Sequence, residues 1–232
     1  MKDLTDKRIR IIVGHCGSGK TEFSVNYAMK LAAQGKKTAL VDLDIANPYF
    51  RSRERRELLE EKGIQVFSNT FGYDITAELP AVTARIRAPL EDPSCRTIVD
   101  AGGNGTGARI LIQFGKYWKT PDCDLLCVVN ANRPETRTAE DALKHIAGIE
   151  RETGLKITGL VNNTHMLRET NPEDILKGYR LCSELSAELG IPVKYSCCTE
   201  ETEAELKGRI TDIEEFNLFR MRLYMRESWL DR

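Results

Sequence analysis

Ile9-Arg10-Ile11-Ile12-Val13 runs directly into Gly14-His15-Cys16-Gly17-Ser18-Gly19-Lys20-Thr21. A short apolar run, a glycine-rich turn and an amphipathic segment starting at Thr21 read as strand, loop and helix in that order. The loop satisfies GxxxxGK[ST], a spacing with a mechanical reason. Its glycines let backbone amides converge on a phosphate, the helix behind offers its N-terminus, Lys20 reaches the β and γ oxygens, and the Thr21 hydroxyl ligates Mg²⁺. Gly14, His15, Cys16, Gly17, Ser18, Gly19, Lys20 and Thr21 are therefore candidate nucleotide contacts.

Outward from this loop, short apolar runs alternate with longer charged amphipathic ones, the pattern of buried parallel strands joined by helices. Strands are expected at Arg8–Val13, Lys37–Val41, Ile64–Ser68, Thr97–Val99, Leu125–Asn130, Lys156–Asn162 and Val193–Ser196. Helices are expected at Thr21–Gln34, Arg51–Lys62, Glu78–Ala88, Gly107–Tyr117, Arg137–Glu152, Pro172–Leu189 and Asp212–Glu227. Asn171 before Pro172 is a suitable N-cap with proline in the first turn, and Gly35 suits a helix end. No Pro/Gly/Ser linker interrupts the 232 residues. The expectation is one α/β domain over 1–232, a three-layer phosphate-loop fold with a mostly parallel sheet of about seven strands.

Hydrophobic residues are 41% and charged residues 30%, with 34 Lys plus Arg against 35 Asp plus Glu and a net charge of −1. That balance excludes a disordered charged tail and gives no electrostatic case for wrapping nucleic acid. MKDLTDKR is not a secretion signal, and no apolar window is long enough for a membrane span, so a cytoplasmic location is expected. Seven scattered cysteines without a CxxC pair argue against a disulfide framework and favour buried or free thiols over a metal cluster.

Three acids follow strands. In Val41-Asp42-Leu43-Asp44-Ile45-Ala46-Asn47-Pro48, alternation points Asp42 and Asp44 to one side, where one joins the magnesium shell and the other orients a water. In Thr97-Ile98-Val99-Asp100-Ala101-Gly102-Gly103-Asn104-Gly105, Asp100 stands where a second Mg²⁺ contact is expected, and the glycines, Gly103 among them, permit rearrangement about a γ-phosphate. At the far end, Asn162 in Gly159-Leu160-Val161-Asn162-Asn163-Thr164 offers an amide suited to adenine, or else a turn. Thr199 and Glu200 either border the base or ribose or are solvated loop residues.

Together these residues resemble the MinD/ParA class of P-loop ATPases, which includes the nitrogenase iron protein. The resemblance covers nearly the whole chain, through Asp42-Leu43-Asp44, Asp100 and Asn162 to Ile191-Pro192-Val193. It implies a mostly parallel α/β fold, ATP and Mg²⁺ as ligands, an ATP-bound homodimer, and hydrolysis that switches the binding of a protein partner. It assigns Asp44 as the water-orienting acid, Asp42 as the nearby switch I acid, Asp100 as the Walker B acid and Asn162 as the adenine-reading amide. A small-molecule kinase or ATP-dependent ligase, and a nucleotide-gated adaptor with negligible turnover, are the alternative readings.

Two departures stand out. The class carries a signature lysine after the first glycine of the loop, where this sequence has His15. A neutral histidine lacks the permanent charge and the reach. It is either a phosphate-facing donor or a packed or merely exposed loop residue, and the chain then hydrolyses slowly, needs a partner, or uses another basic residue such as Arg51, Arg53 or Arg109. The second departure is Ala101-Gly102-Gly103, where many relatives have a proline-containing turn. Two basic features stay open: Arg51, Arg53, Arg55 and Arg56 form either a binding edge or a solvated helix face, and the 215–230 run reads as a helix packed on the core, on a partner or on a membrane.

Overall fold

Alternation along the first strand, β1 (Ile9–Gly14), divides its side chains between two cores. Ile9, Ile11 and Val13 join one apolar cluster, and Ile12 joins the other. A strand buried on both faces needs helices on both sides. The computed structural model describes residues 7–44, 55–68, 79–103, 105–210, 214 and 216–225. After β1 come α1 (Lys20–Ala33), β2 (Thr38–Leu43), α2 (Arg56–Glu61), β3 (Ile64–Ser68), α3 (Leu79–Glu91), β4 (Arg96–Ala101), α4 (Gly105–Ala108) and α5 (Gly115–Trp118). Then follow β5 (Cys123–Val129), α6 (Ala139–Thr153), β6 (Gly159–Asn162), α7 (Pro172–Leu189), β7 (Val193–Cys198), α8 (Glu200–Lys207) and β8 (Leu218–Arg220).

The strands form one sheet of eight in the order β3-β2-β4-β1-β5-β6-β7-β8, and every described ladder is parallel. On one face, residues of α1 and α2 pack with Leu40, Ile98, Leu126 and Phe219. On the other, residues of α3, α6 and α7 pack with Val41, Val99 and Leu125. This is the expected three-layer α/β arrangement. β1 lies between β4 and β5, with β2 and β3 wound to one side of it and β5 to β8 to the other. The crevice this opens at the carboxyl ends of β1, β4 and β5 is where such sheets bind ligands.

Local chemistry sets the ends. Asn171 caps α7 by accepting from Glu173 N and Asp174 N, with Pro172 in the first turn, and Gly190 at φ 66° stops it. The expected helix Gly107–Tyr117 is instead broken into α4, a tight turn over Arg109–Phe114 and α5. Gly105, Gly107 and Gly115 weaken helical propensity there, and Trp118 Nε1 donates to the Leu111 carbonyl at 2.7 Å, replacing a helical bond. Of the expected helix Arg51–Lys62, the described part is α2; Arg51, Arg53, Ile45-Ala46-Asn47-Pro48, Glu78 and Asn104 lie outside the described residues.

The expected helix Asp212–Glu227 is overturned. Its described part contains β8, the eighth strand, and a non-helical strap over 221–225. The sequence itself carries the reason: Phe219 and Met221 are buried and Leu223 half-buried while Arg220 and Arg222 are exposed, a period of two, with Met225 buried beyond them. The helix α8 was not anticipated. It buries only Thr202 and Leu206, too few to make a helical stripe, and it forms because Thr199 and Thr202 cap each other's backbone. Among the described residues no helix is long and apolar enough to cross a membrane.

Phe219 lies against Phe23, Tyr27 and Tyr195, with ring centroids 5.0, 5.7 and 5.2 Å away. Phe219→Ala is expected to lower unfolding free energy by about 3–5 kcal/mol, whereas Arg222→Ala changes it by less than about 0.5 kcal/mol. Urea denaturation of both variants checks the alternating pattern, and equal losses would refute it.

Candidate functional site

Gly14 ends β1 with its Cα facing the Val128 backbone so closely that an added Cβ would strike it. Gly17 and Gly19 then turn through φ 78° and 84°, a left-handed region that favours glycine, and α1 starts at Lys20. The result aims the first turn of α1 at the crevice. Lys20 is buried and its Nζ donates to the His15 carbonyl at 3.4 Å, so the ammonium lies folded back over the loop.

Asp100, at the end of β4, is fully buried. The Thr21 hydroxyl donates to its Oδ2 at 2.7 Å and Ser24 to its Oδ1 at 3.5 Å. Asp42 is the register partner of Asp100 on β2, and Asp42 Oδ1 accepts the Asp44 amide at 3.1 Å. Burial raises the Asp100 pKa and the Asp42 charge raises it further, while Lys20 and the Thr21 hydrogen bond oppose both. Asp42, Asp44 and Asp100 are thus brought together behind Lys20, and a divalent cation would relieve their mutual repulsion. Among the described residues no three His, Cys, Asp or Glu side chains are placed to enclose a metal.

A cavity of about 390 Å³ runs from the loop toward the ends of β6 and β7. Cys16, Gly17, Gly19, Lys20 and Thr21 line one end; Asn163, Thr164, His165, Leu167 and Thr199 line the other, with Met221, Leu223 and Met225 of the strap as an apolar wall. The strap is fastened to α1 beside the loop: Glu22 accepts the amides of Tyr224 at 2.6 Å and Met225 at 3.2 Å, and Asn26 exchanges two 2.8 Å hydrogen bonds with the Arg222 backbone. Asp42, Asp44 and Asp100 do not line this cavity. Gly103 closes that side; a methyl there would come within 2.8 Å of Lys20 Nζ and 3.0 Å of Cys16 N.

Three placements differ from the sequence expectations. Asn162 does not line the cavity: it is fully buried, its Nδ2 donates to the Ile175 carbonyl at 2.9 Å and its Oδ1 accepts the Thr164 amide at 3.2 Å. Its amide is committed to the fold, and Asn163, donating to the Ser18 carbonyl at 2.8 Å, faces the cavity in its place. His15 turns away from the cavity; its Nδ1 donates to the Cys16 carbonyl at 2.8 Å, and its ring packs edge-on to His145 of α6 at 5.3 Å. Arg109 pairs with Glu152 at 2.6 Å, so this cation is already engaged at α6. Arg56 likewise bonds the Val66 carbonyl and Ser68 at the end of β3. Thr199 does line the cavity, while its hydroxyl caps α8.

Sequence reasoning missed Arg133. It lines the cavity and its Nε donates to the Gly17 carbonyl at 3.2 Å. The available signal was topological: the segment after β5 must pass over the loop that follows β1, because the two strands are paired to Gly14 and Val128. The thiols are unpaired, all but Cys16 buried, and burial pushes Cys123, Cys127 and Cys198 up to about 12, where they are poor metal ligands.

A family model described as the CobQ/CobB/MinD/ParA nucleotide binding domain matches residues 9–188. No curated protein matches the chain. Similar solved structures include the signal recognition particle receptor FtsY from Elizabethkingia anophelis (TM-score 0.53, 18% identity, covering 82% of this chain and 58% of that one). Chloroplast FtsY from Physcomitrella patens gives TM-score 0.55 at 19% identity, covering 83% and 59%. The 54 kDa signal recognition particle protein from Aeropyrum pernix K1, in complex with GDP, gives 0.54 at 21%, covering 84% and 42%. At these identities the likeness is one of fold, and the chain spans less than two thirds of each of these three.

Removing the Asn162 amide leaves the Ile175 carbonyl and the Thr164 amide buried without it. Asn162→Ala is expected to cost about 1–3 kcal/mol of stability, with nucleotide affinity of the folded protein within about twofold of wild type; calorimetric titration after a melting curve checks both, and a selective loss of affinity would restore Asn162 to base reading. A pH effect follows from His145, whose pKa burial lowers to about 4, with the charges of His15 and Lys20 adding to the effect. The folded state holds it neutral while the unfolded chain protonates near pH 6.5, so stability present above that pH is lost as pH falls toward 4. Denaturation at pH 7 and pH 4.5 should show about 2–3 kcal/mol less of this loss in His145→Asn than in wild type; parallel pH profiles would contradict it.

Proposed function

The chain belongs to the CobQ/CobB/MinD/ParA nucleotide-binding domain family, and we propose that it is a cytoplasmic Mg²⁺-dependent ATP-binding and ATP-hydrolysing switch, its nucleotide state controlling dimerisation or the binding of a protein partner. The observation that carries this reading is the buried 2.7 Å hydrogen bond from Thr21 to Asp100, with Lys20, Asp42 and Asp44 beside it. A hydroxyl and a carboxylate so joined are the pair that would hold Mg²⁺. When bound, that ion would draw charge from the phosphate oxygens and lower the barrier to their displacement. Lys20 and the loop amides would hold the β and γ oxygens, and Asp44, fixed through its own amide to Asp42, would orient the attacking water.

Gly103 supports the switch. It stands against Lys20 Nζ and Cys16 N, two groups that a terminal phosphate would use. Residues 102–103 therefore withdraw when a third phosphate enters, and the segment behind β4 senses it. Adenine is favoured by the far end of the cavity. Guanine offers an N–H edge that a carboxylate reads well, and among the described lining residues the one carboxylate, Glu22, already accepts the Tyr224 and Met225 amides. A nucleotide-gated adaptor with negligible turnover is the second reading, favoured by His15, whose ring packs on His145 of α6 with Nδ1 3.6 Å from Glu135 and does not line the cavity.

The similar Aeropyrum pernix structure holds GDP, which makes GTP the competitor to test. Phosphate release by the pure protein is expected to be faster with Mg²⁺-ATP than with Mg²⁺-GTP, and to fall by about 10²-fold or more in Lys20→Ala and in Asp44→Ala with melting temperatures near wild type. Binding of ATP without turnover above those variants would select the adaptor. Phosphate transfer only on adding an acceptor metabolite would select a kinase.

A further inference from the structure

Arg8, Arg56, Arg109, Arg209 and Arg220 each lie on a carboxylate. Arg133 is placed differently. No carboxylate among the described residues pairs with it, and its Nε donates to the carbonyl of Gly17, inside the phosphate loop. The contact is close enough that a Cβ on Gly17 would lie 3.0 Å from the guanidinium carbon and 3.2 Å from a terminal nitrogen. One edge of the guanidinium thus fits against the glycine, and the group borders the same cavity as Cys16, Lys20 and Thr21.

The segment that carries Arg133 is rigidly built. Arg133 N donates to the Asn130 carbonyl at 3.1 Å, and Thr136 N donates to the Arg133 carbonyl at 3.1 Å. Thr136 Oγ1 donates to the Asn130 carbonyl at 2.7 Å, Asn132 N donates to Asn130 Oδ1 at 2.9 Å, and Asn132 Nδ2 donates to Asp174 at 2.8 Å. Pro134 fixes its own φ immediately after the arginine. A side chain carried on such a turn loses little freedom on meeting a ligand, which suits a group that must be in place before charge develops.

We propose that Arg133 is the second cation of the phosphate site, supplied by the same chain that binds the nucleotide, and that its guanidinium donates to phosphate oxygens beside Lys20. This rests on the nucleotide-switch reading above and completes it. The charge absent at position 15 is provided from the segment after β5, and a fork of planar donors is better matched to a phosphate than a histidine ring. The second cation then comes from the chain that binds the nucleotide, with dimerisation left free to serve the switch.

The test compares wild type with Arg133→Gln, Arg133→Lys and Arg133→Ala, using ATP, ADP and adenosine. Glutamine can still donate to the Gly17 carbonyl but carries no charge, so it separates a brace for the loop from a cation for the ligand. Arg133→Gln is expected to bind ATP about tenfold more weakly, with adenosine affinity unchanged and the melting temperature within a few degrees, and to turn over about 10²-fold more slowly; Arg133→Lys recovers part of both. Equal ATP affinity in Arg133→Gln and wild type, or parallel losses for ATP and adenosine, overturns the assignment. Mixing Arg133→Ala with Lys20→Ala should leave both inactive, and recovery of turnover would show the arginine acting across a dimer, overturning the same-chain assignment. Wild type that binds no ATP at all would instead bring down the functional reading on which this one stands.

Discussion

The hydrogen bond from Thr21 to Asp100 is the joint on which the site depends. It links the first turn of α1 to the end of β4, beside β1 at the centre of the sheet, and it does so in burial. A buried carboxylate is stable only when something offsets its desolvation. Here a hydroxyl and a lysine ammonium do part of that, while Asp42 works against them. Burial and the neighbouring Asp42 therefore hold the Asp100 carboxyl above the usual carboxylate range. The fold around it, from the glycines that let the loop turn to the parallel ladder that sets Asp42 beside Asp100, serves to hold that imbalance in one place.

Much of this was legible from sequence because the phosphate loop is local: a strand, a turn of fixed spacing and a helix are contiguous, so their geometry is written in thirteen neighbouring residues, 9–21. The acids after β2 and β4 were legible for the same reason, each being tied to the end of its own strand. What failed was decided by contacts distant in sequence. Asn162 and Asn163 are chemically identical neighbours, and which one faces the cavity depends on the parity of β6, whose ladder to β7 shifts register between Leu160 and Val161. Gly178 of α7 then passes so close to the Asn162 amide that no side chain would fit between them. The alternation at Phe219 and Met221 was present in the string, but the same apolar richness also satisfies a helix, and only pairing with β7 decides it.

His15 and Arg133 show how one requirement moves between positions. A loop that lacks a lysine in its second place still needs positive charge near the phosphates, and the neighbouring turn after β5 is the nearest rigid support. His15 takes up packing instead. Its ring rests on His145, and burial keeps His145 neutral, so the pair adds apolar contact under the loop. Position 15 packs against α6, and in the assignment proposed above the electrostatic task falls to a segment that spacing within the loop alone could not reveal.

The clasp between Glu22 and the strap bridges 202 positions to Tyr224 and 203 to Met225. Contacts that far apart close late, since the chain must first lose the freedom of everything between them. On a ribosome, the glycine loop emerges long before the wall of Met221, Leu223 and Met225 that completes the cavity beside it. A nascent chain consequently carries the loop without that wall until the last of these residues is released.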